Sequence, residues 1–474
     1  MVPQRREAAR SAESKAAPRD GRQEGRSVSD TEWQSESQAP GVSARTIQGA
    51  ETHGRDWTWV EATVWNERML AALGNGVRGG KWFSLIDKVY RPQTLKAAWH
   101  KVKGNAGAAG VDGQSVKQFG LRAEIYLEEL EQTLRSGEYR PEPIRRVEIA
   151  KAGGKKRPLG IPAVKDRIVQ TALKLVIEPI FEREFEDSSY GFRPRRSAKD
   201  ALREVDGLIQ EGYTCVVDAD LESFFDTIEH RTLMRRIEER ISDGRVLGLI
   251  GLFLSQDIIQ GMKRWTPTGG TPQGAVVSPL LANIYLHPLD RQMKQQGYRM
   301  IRYADDFVVL CRTAQRAQAA LEEVKSLVEQ NGLRLNANKT RVGDCRQAGQ
   351  GFEYLGYRFE AGQRWVRPKS FKALRERIRV KTQRTRGDSL AKIIGDLNPM
   401  LRGWFHYFKQ AHPLVHEMMD GFIRRRLRAL LRKQEKRPGR GRCLDDHLRW
   451  SNAFFATQGL FTMITARELA SQSR

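Results

Sequence analysis

The sequence predicts an α+β fold, with strands in the middle of the chain and helices after about residue 366. Apolar runs on both sides of Tyr303-Ala304-Asp305-Asp306 indicate a β-hairpin with this tetrapeptide at its tip. A β-branched run at residues 215–221 predicts a second strand, which ends in acidic residues. From about residue 366, apolar residues recur at three- and four-residue steps, which is typical of helices that bury one face.

The hairpin tip carries two adjacent carboxylates, Asp305 and Asp306. Adjacent anions repel each other and lose hydration on burial, so such a pair between buried strands requires a compensating cation. Mg²⁺ suits this position because it takes hard oxygen ligands and shares them with phosphates. Taken alone, the tetrapeptide is explained equally well as a polar turn, where Asp is common.

The strand at residues 215–221 supplies further carboxylates. A two-metal site for phosphoryl transfer needs acids from more than one segment, because one hairpin tip cannot surround two ions. Asp218 and Asp220 alternate onto the same strand face, so periodicity does not choose between them. The alternative interpretation of this segment is a surface strand that leads into a helix.

A loop rich in Gly, Pro and Thr, residues 268–277, lies between the two acidic segments. Ser278 is the expected N-cap of the next helix, with Pro279 at its first position. Glycines in such a loop let the backbone approach a phosphate or a base pair closely. An ordinary loop–helix junction would have a similar sequence.

In this order, the motifs resemble the palm of a reverse transcriptase, and more narrowly the reverse transcriptase–maturases encoded by bacterial group II introns. The resemblance runs collinearly from about residue 85 to residue 474. It implies a right-hand polymerase, with fingers and palm built on antiparallel sheet, followed by an α-helical thumb or maturase domain. The further motifs that carry it are residues 110–113, 149–162, 166–170, 189–194, 332–336, 338–340, 352–356 and 401–408.

Composition and the resemblance together predict five segments. Residues 1–55 have almost no large apolar side chains and are expected to form a disordered tail. The others are an N-terminal extension with a template-gripping loop (56–120), the fingers and palm (121–365), the helical thumb or maturase domain (366–425) and a basic DNA- or RNA-binding segment (426–474).

The resemblance assigns the catalytic and metal-binding roles to Asp220, Asp305 and Asp306. It implies two Mg²⁺ ions, one lowering the pKa of the primer 3′-hydroxyl and the other binding the triphosphate and the leaving pyrophosphate. Asp218 and Asp226 are then structural residues.

Triphosphate binding is expected from Lys151 and Arg157 by the same resemblance. Arg can bind two phosphate oxygens at once, whereas Lys acts as a point charge. The neighbouring Lys155 and Lys156 could take the place of Lys151.

The remaining nucleotide contacts involve the sugar, the base pair and the leaving group. Phe224 or Phe225 would crowd a sugar 2′-hydroxyl and favour deoxynucleotides, and the sequence does not say which of the two does so. By the same resemblance, Gln273 and Gly274 are expected to contact the nascent base pair or template backbone, and Lys339 to protonate the leaving group. A solvated side chain is the alternative interpretation of Lys339.

The charge of the chain indicates a polyanionic partner. Its 474 residues carry a formal net charge of +24 at pH 7. Residues 424–442 contain ten Lys or Arg and one acid, Glu435. A solvated charged helix is the alternative interpretation of this run. The residues expected to bind nucleic acid are Arg424, Arg425, Arg426, Arg428, Arg432 and Lys433.

Several classes of protein are disfavoured. No apolar stretch approaches the length of a membrane span, so a cytoplasmic bacterial protein is expected, which associates with the nucleoid when it is bound to DNA. The four cysteines are dispersed and form no C-x-x-C pair, which disfavours a zinc ribbon or disulfide framework. Without paired cysteines or an HNH-type site, cleavage of a second DNA strand is not expected. His412 and His416 are interpreted as packing or RNA contacts rather than zinc ligands.

The expected function has two parts. One is RNA-directed DNA polymerisation with an RNA template, a DNA primer or target, dNTPs and Mg²⁺. The other is binding of intron RNA to assist its splicing and mobility. The alternatives are a non-catalytic splicing cofactor and a reverse transcriptase domesticated for host defence or repair. Whether the protein is a monomer or a dimer stays open.

Overall fold

The computed structural model describes residues 57–150 and 156–472. The predicted tail at residues 1–55, Lys151 and Lys155 lie outside the described residues. The strands are β1 (Ile144–Ala150), β2 (Lys156–Ile161), β3 (Cys215–Asp220), β4 (Ile258–Gln260), β5 (Lys263–Trp265), β6 (Arg299–Tyr303), β7 (Asp306–Cys311), β8 (Arg341–Asp344), β9 (Phe352–Tyr354), β10 (Tyr357–Glu360) and β11 (Gln363–Val366).

Helices surround these strands and make up the last part of the chain. They are α1 (Glu67–Asn75), α2 (Ile86–Val89), α3 (Pro92–Asn105), α4 (Val116–Gly120), α5 (Ala123–Ser136), α6 (Val164–Glu182), α7 (Ala198–Gln210), α8 (Phe224–Thr227), α9 (His230–Glu238), α10 (Gly244–Leu254), α11 (Ser278–Gln295), α12 (Ala314–Gln330), α13 (Pro368–Lys381), α14 (Leu390–Phe408), α15 (Pro413–Gln434), α16 (Leu444–Arg449), α17 (Asn452–Thr457) and α18 (Met463–Gln472).

The central sheet has the strand order β6-β7-β3-β8, and all its pairs are antiparallel. Both faces are covered, because alternate residues of β3 and β7 belong to different cores. Val217 and Val309 pack with α11 and α12, whereas Val216 and Val308 pack with α7 and the three-stranded sheet β11-β10-β9. The predicted α+β fold, with its hairpin, is confirmed.

A second sheet, with the order β2-β1-β4-β5, lies in the segment predicted to form the fingers and palm. β1 and β2 make an antiparallel hairpin, and β4 runs parallel to β1. The loop after α3 is held against this region, because Arg145 donates to the carbonyl of Ala109 at 2.6 Å and Arg167 to that of Ala108 at 2.7 Å. Gly110 lies so close to Ala163 that a Cβ would be 2.6 Å from the Cα of that residue.

The C-terminal helices share one core, and this corrects a predicted boundary. We expected a separate basic segment from residue 426, but that position lies inside the continuous helix α15. Leu427 and Leu430, beyond the predicted boundary, pack in the same core as Ile393, Trp450 and Met463. In the described part of the chain, no helix is both long and apolar enough to cross a membrane.

Candidate active site

The three predicted carboxylates lie where β3 meets the β6–β7 hairpin. Asp220 and Asp306 are direct partners across the antiparallel pair, and Asp305 lies in the turn between Tyr303 and Asp306. Asp220 ends β3 and Asp306 begins β7, and Val308 points to the same face two residues farther along β7. The face is therefore acidic at the end next to the turn and apolar farther from it.

A buried arginine fixes the turn that presents Asp305. The side chain of Arg302 is fully buried and pairs with that of Asp290 in α11, with Nε 2.7 Å from Oδ1. Its Nη1 donates to the carbonyl of Ala304 at 2.8 Å and to the side chain of Asn283 at 2.9 Å. The guanidinium thus connects the turn to α11, a link that was not predicted from the sequence.

The loop at residues 188–194 closes over the same turn. Tyr190 N–H donates to the Arg302 carbonyl at 2.8 Å, and Asn283 Nδ2 donates to the Gly191 carbonyl at 2.9 Å. A Cβ on Gly191 would lie 2.1 Å from the backbone nitrogen of Ala304, so only glycine fits here.

The carboxylates depress each other's ionisation. Burial, followed by the charges of Asp218, Asp305 and Asp220, raises the pKa of Asp306 to about 7. Burial and the Asp220 charge also raise the pKa of Asp305. Close acids that ionise with difficulty, and that offer only hard oxygen ligands, fit a divalent cation. Among the residues that the structure describes, no three His, Cys, Asp or Glu side chains converge closely enough to count as a complete metal site.

Two basic side chains form ion pairs with the acidic residues of β3. Lys339 Nζ lies 2.6 Å from Asp220 Oδ2, and an Arg341 guanidinium nitrogen lies 3.2 Å from Asp218 Oδ2. Lys339, which was predicted near the leaving group, is therefore paired here with a predicted metal ligand. The Asp218 side chain is more buried than that of Asp220, at 15% against 37% exposed.

The structure brings the predicted fingers residues to the loop before α11. Arg157 Nε donates to the side chain of Gln273 at 2.9 Å, and Gly160 N–H donates to the Gln273 carbonyl at 2.6 Å. Gly274 has a φ of +109°, and a Cβ there would lie 2.4 Å from the Gly160 carbonyl oxygen. α11 begins at Ser278, one residue before the predicted start, because the first turn tolerates proline at more than one position.

The two aromatic candidates occupy different surroundings. Phe224 is 2% exposed, and its ring packs 6.3 Å from that of Tyr285 in the core. Phe225 is 9% exposed and faces the ring of Phe192, which is itself 43% exposed. The Phe225 carbonyl also accepts a 2.7 Å hydrogen bond from Thr271 N–H, at the start of the Gln273 loop. Of the two aromatic candidates, Phe225 therefore lies nearer to the solvent-exposed residues.

Not all the predicted basic residues of α15 face solvent. Arg428 is 4% exposed and donates to the Trp450 carbonyl at 2.9 Å, so its prediction as a nucleic-acid contact is corrected. Arg432 pairs with Asp446 at 2.7 Å, and Arg426 donates to the Thr382 carbonyl at 2.8 Å. These contacts hold the C-terminal helices together. Arg424 is half-buried, and Lys433 is exposed.

A basic cluster instead joins α13 to α15. The guanidiniums of Arg375, Arg379 and Arg425 lie 4.7, 5.7 and 5.4 Å from the centre of the Phe422 ring. Burial and then the charges of Arg442, Arg375 and Arg379 lower the pKa of Arg425. We call Arg375, Arg379, Arg425 and Arg442 together the α13–α15 surface. The α13 residues were not predicted from the sequence, although residues 369–381 show a dense basic pattern.

The two histidines are packing residues. His412 stacks on Trp365 with 4.3 Å between ring centres. His416 is buried, and its Nε2 lies 3.2 Å from the Phe408 carbonyl oxygen. Burial lowers the pKa of His416 to about 4.

Comparison with known proteins agrees with this architecture. Residues 149–359 match the family model for reverse transcriptase (RNA-dependent DNA polymerase), and residues 371–450 match that for the maturase-specific domain of group II introns. Protein YkfC of Escherichia coli (strain K12) is 36% identical over 316 residues, which are 58% of this chain and 82% of YkfC. The chain belongs to the group II intron reverse transcriptase–maturase family.

This reverse transcriptase–maturase is an RNA-directed DNA polymerase joined to a maturase domain; its family depends on metal ions, and its partners are nucleic acids. The group II intron-encoded protein LtrA of Lactococcus lactis subsp. cremoris is 38% identical over 208 residues. These are 43% of this chain but only 34% of LtrA. A chain of the partial Cas6-RT-Cas1–Cas2 complex is 24% identical to this protein, with a TM-score of 0.34, over 52% of this chain and 42% of that chain.

Proposed function

We propose that this protein extends a DNA primer on an intron RNA template with Mg²⁺ and dNTPs, and also binds intron RNA to assist splicing. The observation that carries the polymerase part is the direct pairing of Asp220 with Asp306, with Asp305 in the adjoining turn. Phosphoryl transfer depends mainly on positioning and on offsetting charge, and a rigid acidic sheet end suits both.

Asp220, Asp305 and Asp306 would hold the ions. Bound Mg²⁺ would make the primer 3′-hydroxyl more acidic and offset the charge of the triphosphate. The chain itself supplies the rigidity. Arg302 and Gly191 hold the turn from two sides, so the carboxylates need little reorganisation when substrates bind.

The triphosphate would lie between this acidic end and the fingers. Arg157 is held by Gln273. Burial raises the pKa of Asp305, and the charge of Arg157 partly offsets that rise, which supports a guanidinium close to the acidic end. A planar guanidinium can bind two phosphate oxygens. Lys151, outside the described residues, stays a second candidate for this role. Gln273 and Gly274 would support the nascent base pair, and the loop after α3 would contact the template.

Sugar selection is assigned to Phe225. Its ring lies beside the exposed Phe192, whereas Phe224 is enclosed by the core around Tyr285. Only a side chain next to the substrate can exclude a 2′-hydroxyl by contact.

The maturase part is assigned to the α13–α15 surface. Like charges in contact destabilise one another unless an anion offsets them, and the phosphates of a folded RNA supply closely spaced anions. Arg375, Arg379 and Arg425 converge on one ring. Glu376 pairs with Arg379 and offsets part of this charge, and the excess of positive charge that is left supports a polyanionic partner. A DNA target could use the same surface.

Primer extension on an RNA template tests the proposal. Asp305→Ala combined with Asp306→Ala should abolish extension, while Asp445→Ala, at an exposed position in α16, should not. Unchanged extension by the double variant would overturn the polymerase assignment. A wild-type protein that binds RNA but extends no primer would favour the non-catalytic splicing cofactor. An intron RNA structure encoded around the reading frame would separate a maturase from a domesticated enzyme.

A further inference from the structure

Lys339 and Asp220 form an ion pair at the centre of the acidic site, with 2.6 Å between Nζ and Oδ2. We propose that Lys339 competes with the divalent cation for Asp220: its ammonium occupies the carboxylate until the metal displaces it. This inference rests on the proposed function, because it takes Asp220 to be a metal ligand. It adds a role for Lys339 that precedes any contact with nucleotide.

The backbone around Lys339 is hydrogen-bonded to β3, the strand that carries Asp220. Asn336 N–H donates to the carbonyl of Asp220 at 2.8 Å, and Lys339 and Thr340 N–H groups donate to the Asn336 carbonyl at 3.0 and 2.9 Å. Leu335 and Leu221 also form a β-bridge. The base of the lysine side chain is therefore fixed beside Asp220, and only its flexible end has to move.

The ammonium is easy to displace. The Lys339 side chain is 61% exposed and that of Asp220 is 37% exposed. Ion pairs in contact with water contribute little to stability, so the exchange costs the protein little. A divalent ion carries twice the charge and can also take oxygens from the neighbouring Asp305 and Asp306, which a single ammonium does not match.

The neighbouring pair provides a contrast within the same strand. Arg341 lies 3.2 Å from Asp218, whose side chain is only 15% exposed. A guanidinium is always charged and holds its carboxylate in a fixed geometry. We therefore expect Asp218 to keep its partner when metal binds, and Asp220 to exchange.

Direct titration of the full chain with Mn²⁺, followed by electron paramagnetic resonance of the free ion, tests the exchange without nucleotide or turnover. Lys339→Gln should bind Mn²⁺ about two- to five-fold more tightly than wild type, the range expected for loss of one exposed ion pair. Lys339→Arg keeps the competing charge and should stay close to wild type. Lys325→Gln removes an equal charge from an exposed pair in α12 and should have no effect.

Two results would overturn the inference: equal Mn²⁺ affinity in Lys339→Gln and Lys325→Gln, or equal tightening in Lys339→Arg and Lys339→Gln. A further arm separates this inference from the proposed function. If Lys339→Gln tightens Mn²⁺ binding even in an Asp220→Asn background, the effect does not act through Asp220, and the inference fails while primer extension still supports the polymerase. If Asp220→Asn leaves both Mn²⁺ binding and primer extension unchanged, the proposed function fails as well.

Discussion

The guanidinium of Arg302 donates a 2.8 Å hydrogen bond to the carbonyl of Ala304, inside the turn that presents Asp305. The φ of Ala304 is +60°, a conformation that a residue with a Cβ rarely adopts without support. Arg302 supplies that support from the buried side of the sheet. The active-site turn is therefore held by a charge network rather than by turn sequence alone.

Arg302→Lys should damage both stability and catalysis. Lysine keeps the charge opposite Asp290 but cannot also reach Asn283 and Ala304, so buried acceptors lose their partners. We expect the free energy of unfolding to fall by about 2–4 kcal/mol. The primer-extension rate should fall by roughly 10- to 100-fold. Urea unfolding and single-turnover extension measure these effects. Arg203→Lys, at an exposed pair, is the control, and equal behaviour of the two variants would contradict the role of Arg302.

Gly191→Ala should disturb the same turn from the other side. Its Cβ would meet the backbone of Ala304 at 2.1 Å, and backbone cannot give way as a side chain can. We expect the free energy of unfolding to fall by about 1–3 kcal/mol and primer extension to become slower. Gly207→Ala, inside α7 with open space around it, should instead be neutral or slightly stabilising. Thermal unfolding of the two variants measures the difference, and a neutral Gly191→Ala would refute the close approach.

Sugar discrimination should depend on Phe225 and not on Phe224. Phe225→Val should raise the incorporation of ribonucleotides relative to deoxynucleotides on the order of ten-fold or more, because space opens beside the 2′ position. Phe224→Leu should lower stability through poorer packing and leave the ratio unchanged. The ratio of kcat/KM for a ribonucleotide and its deoxy counterpart measures the effect. If this ratio changed more in Phe224→Leu than in Phe225→Val, sugar selection would have to be assigned to Phe224.

RNA binding should depend on the α13–α15 surface. Replacing Arg425 and Arg442 by Gln should weaken binding and reduce the slope of log affinity against log salt by about 1.5, since each lost phosphate contact removes close to one released counterion. Lys325→Gln with Arg203→Gln removes the same charge from exposed pairs elsewhere. Filter binding of intron RNA at several salt concentrations measures both slopes. An unaltered slope in the Arg425 and Arg442 variant would remove the assignment.

The sequence alone predicted those elements that depend on a local pattern of residues. The hairpin, the strand that ends at Asp220 and the helical stripe of α14 follow from the spacing of apolar residues, and each is present in the structure. Contacts between residues far apart in the chain could not be predicted from local spacing. Arg302 appears as one polar residue in a strand, and its partner Asp290 gives no local signal of the contact.

The same limit explains the error at Arg428. A count of basic residues along a helix does not say which of them face the core, and Arg428 lies on the side that packs against Trp450. The contribution of α13 was missed for the converse reason: Arg375 and Arg379 meet Arg425 only when the two helices pack. Periodicity likewise placed Asp218 and Asp220 on one face without ranking them, and their different partners and exposure now do so.

The most direct test of the account compares two neighbouring acids of β3 by single-turnover primer extension on an RNA template. Asp220→Asn should slow extension on the order of 10³-fold, because it removes the carboxylate of the residue that lies opposite Asp306 in the sheet. Asp218→Asn should stay within about ten-fold of wild type, because Asp218 pairs with Arg341. Equal losses in the two variants, or full activity in Asp220→Asn, would contradict the assignment of the catalytic centre.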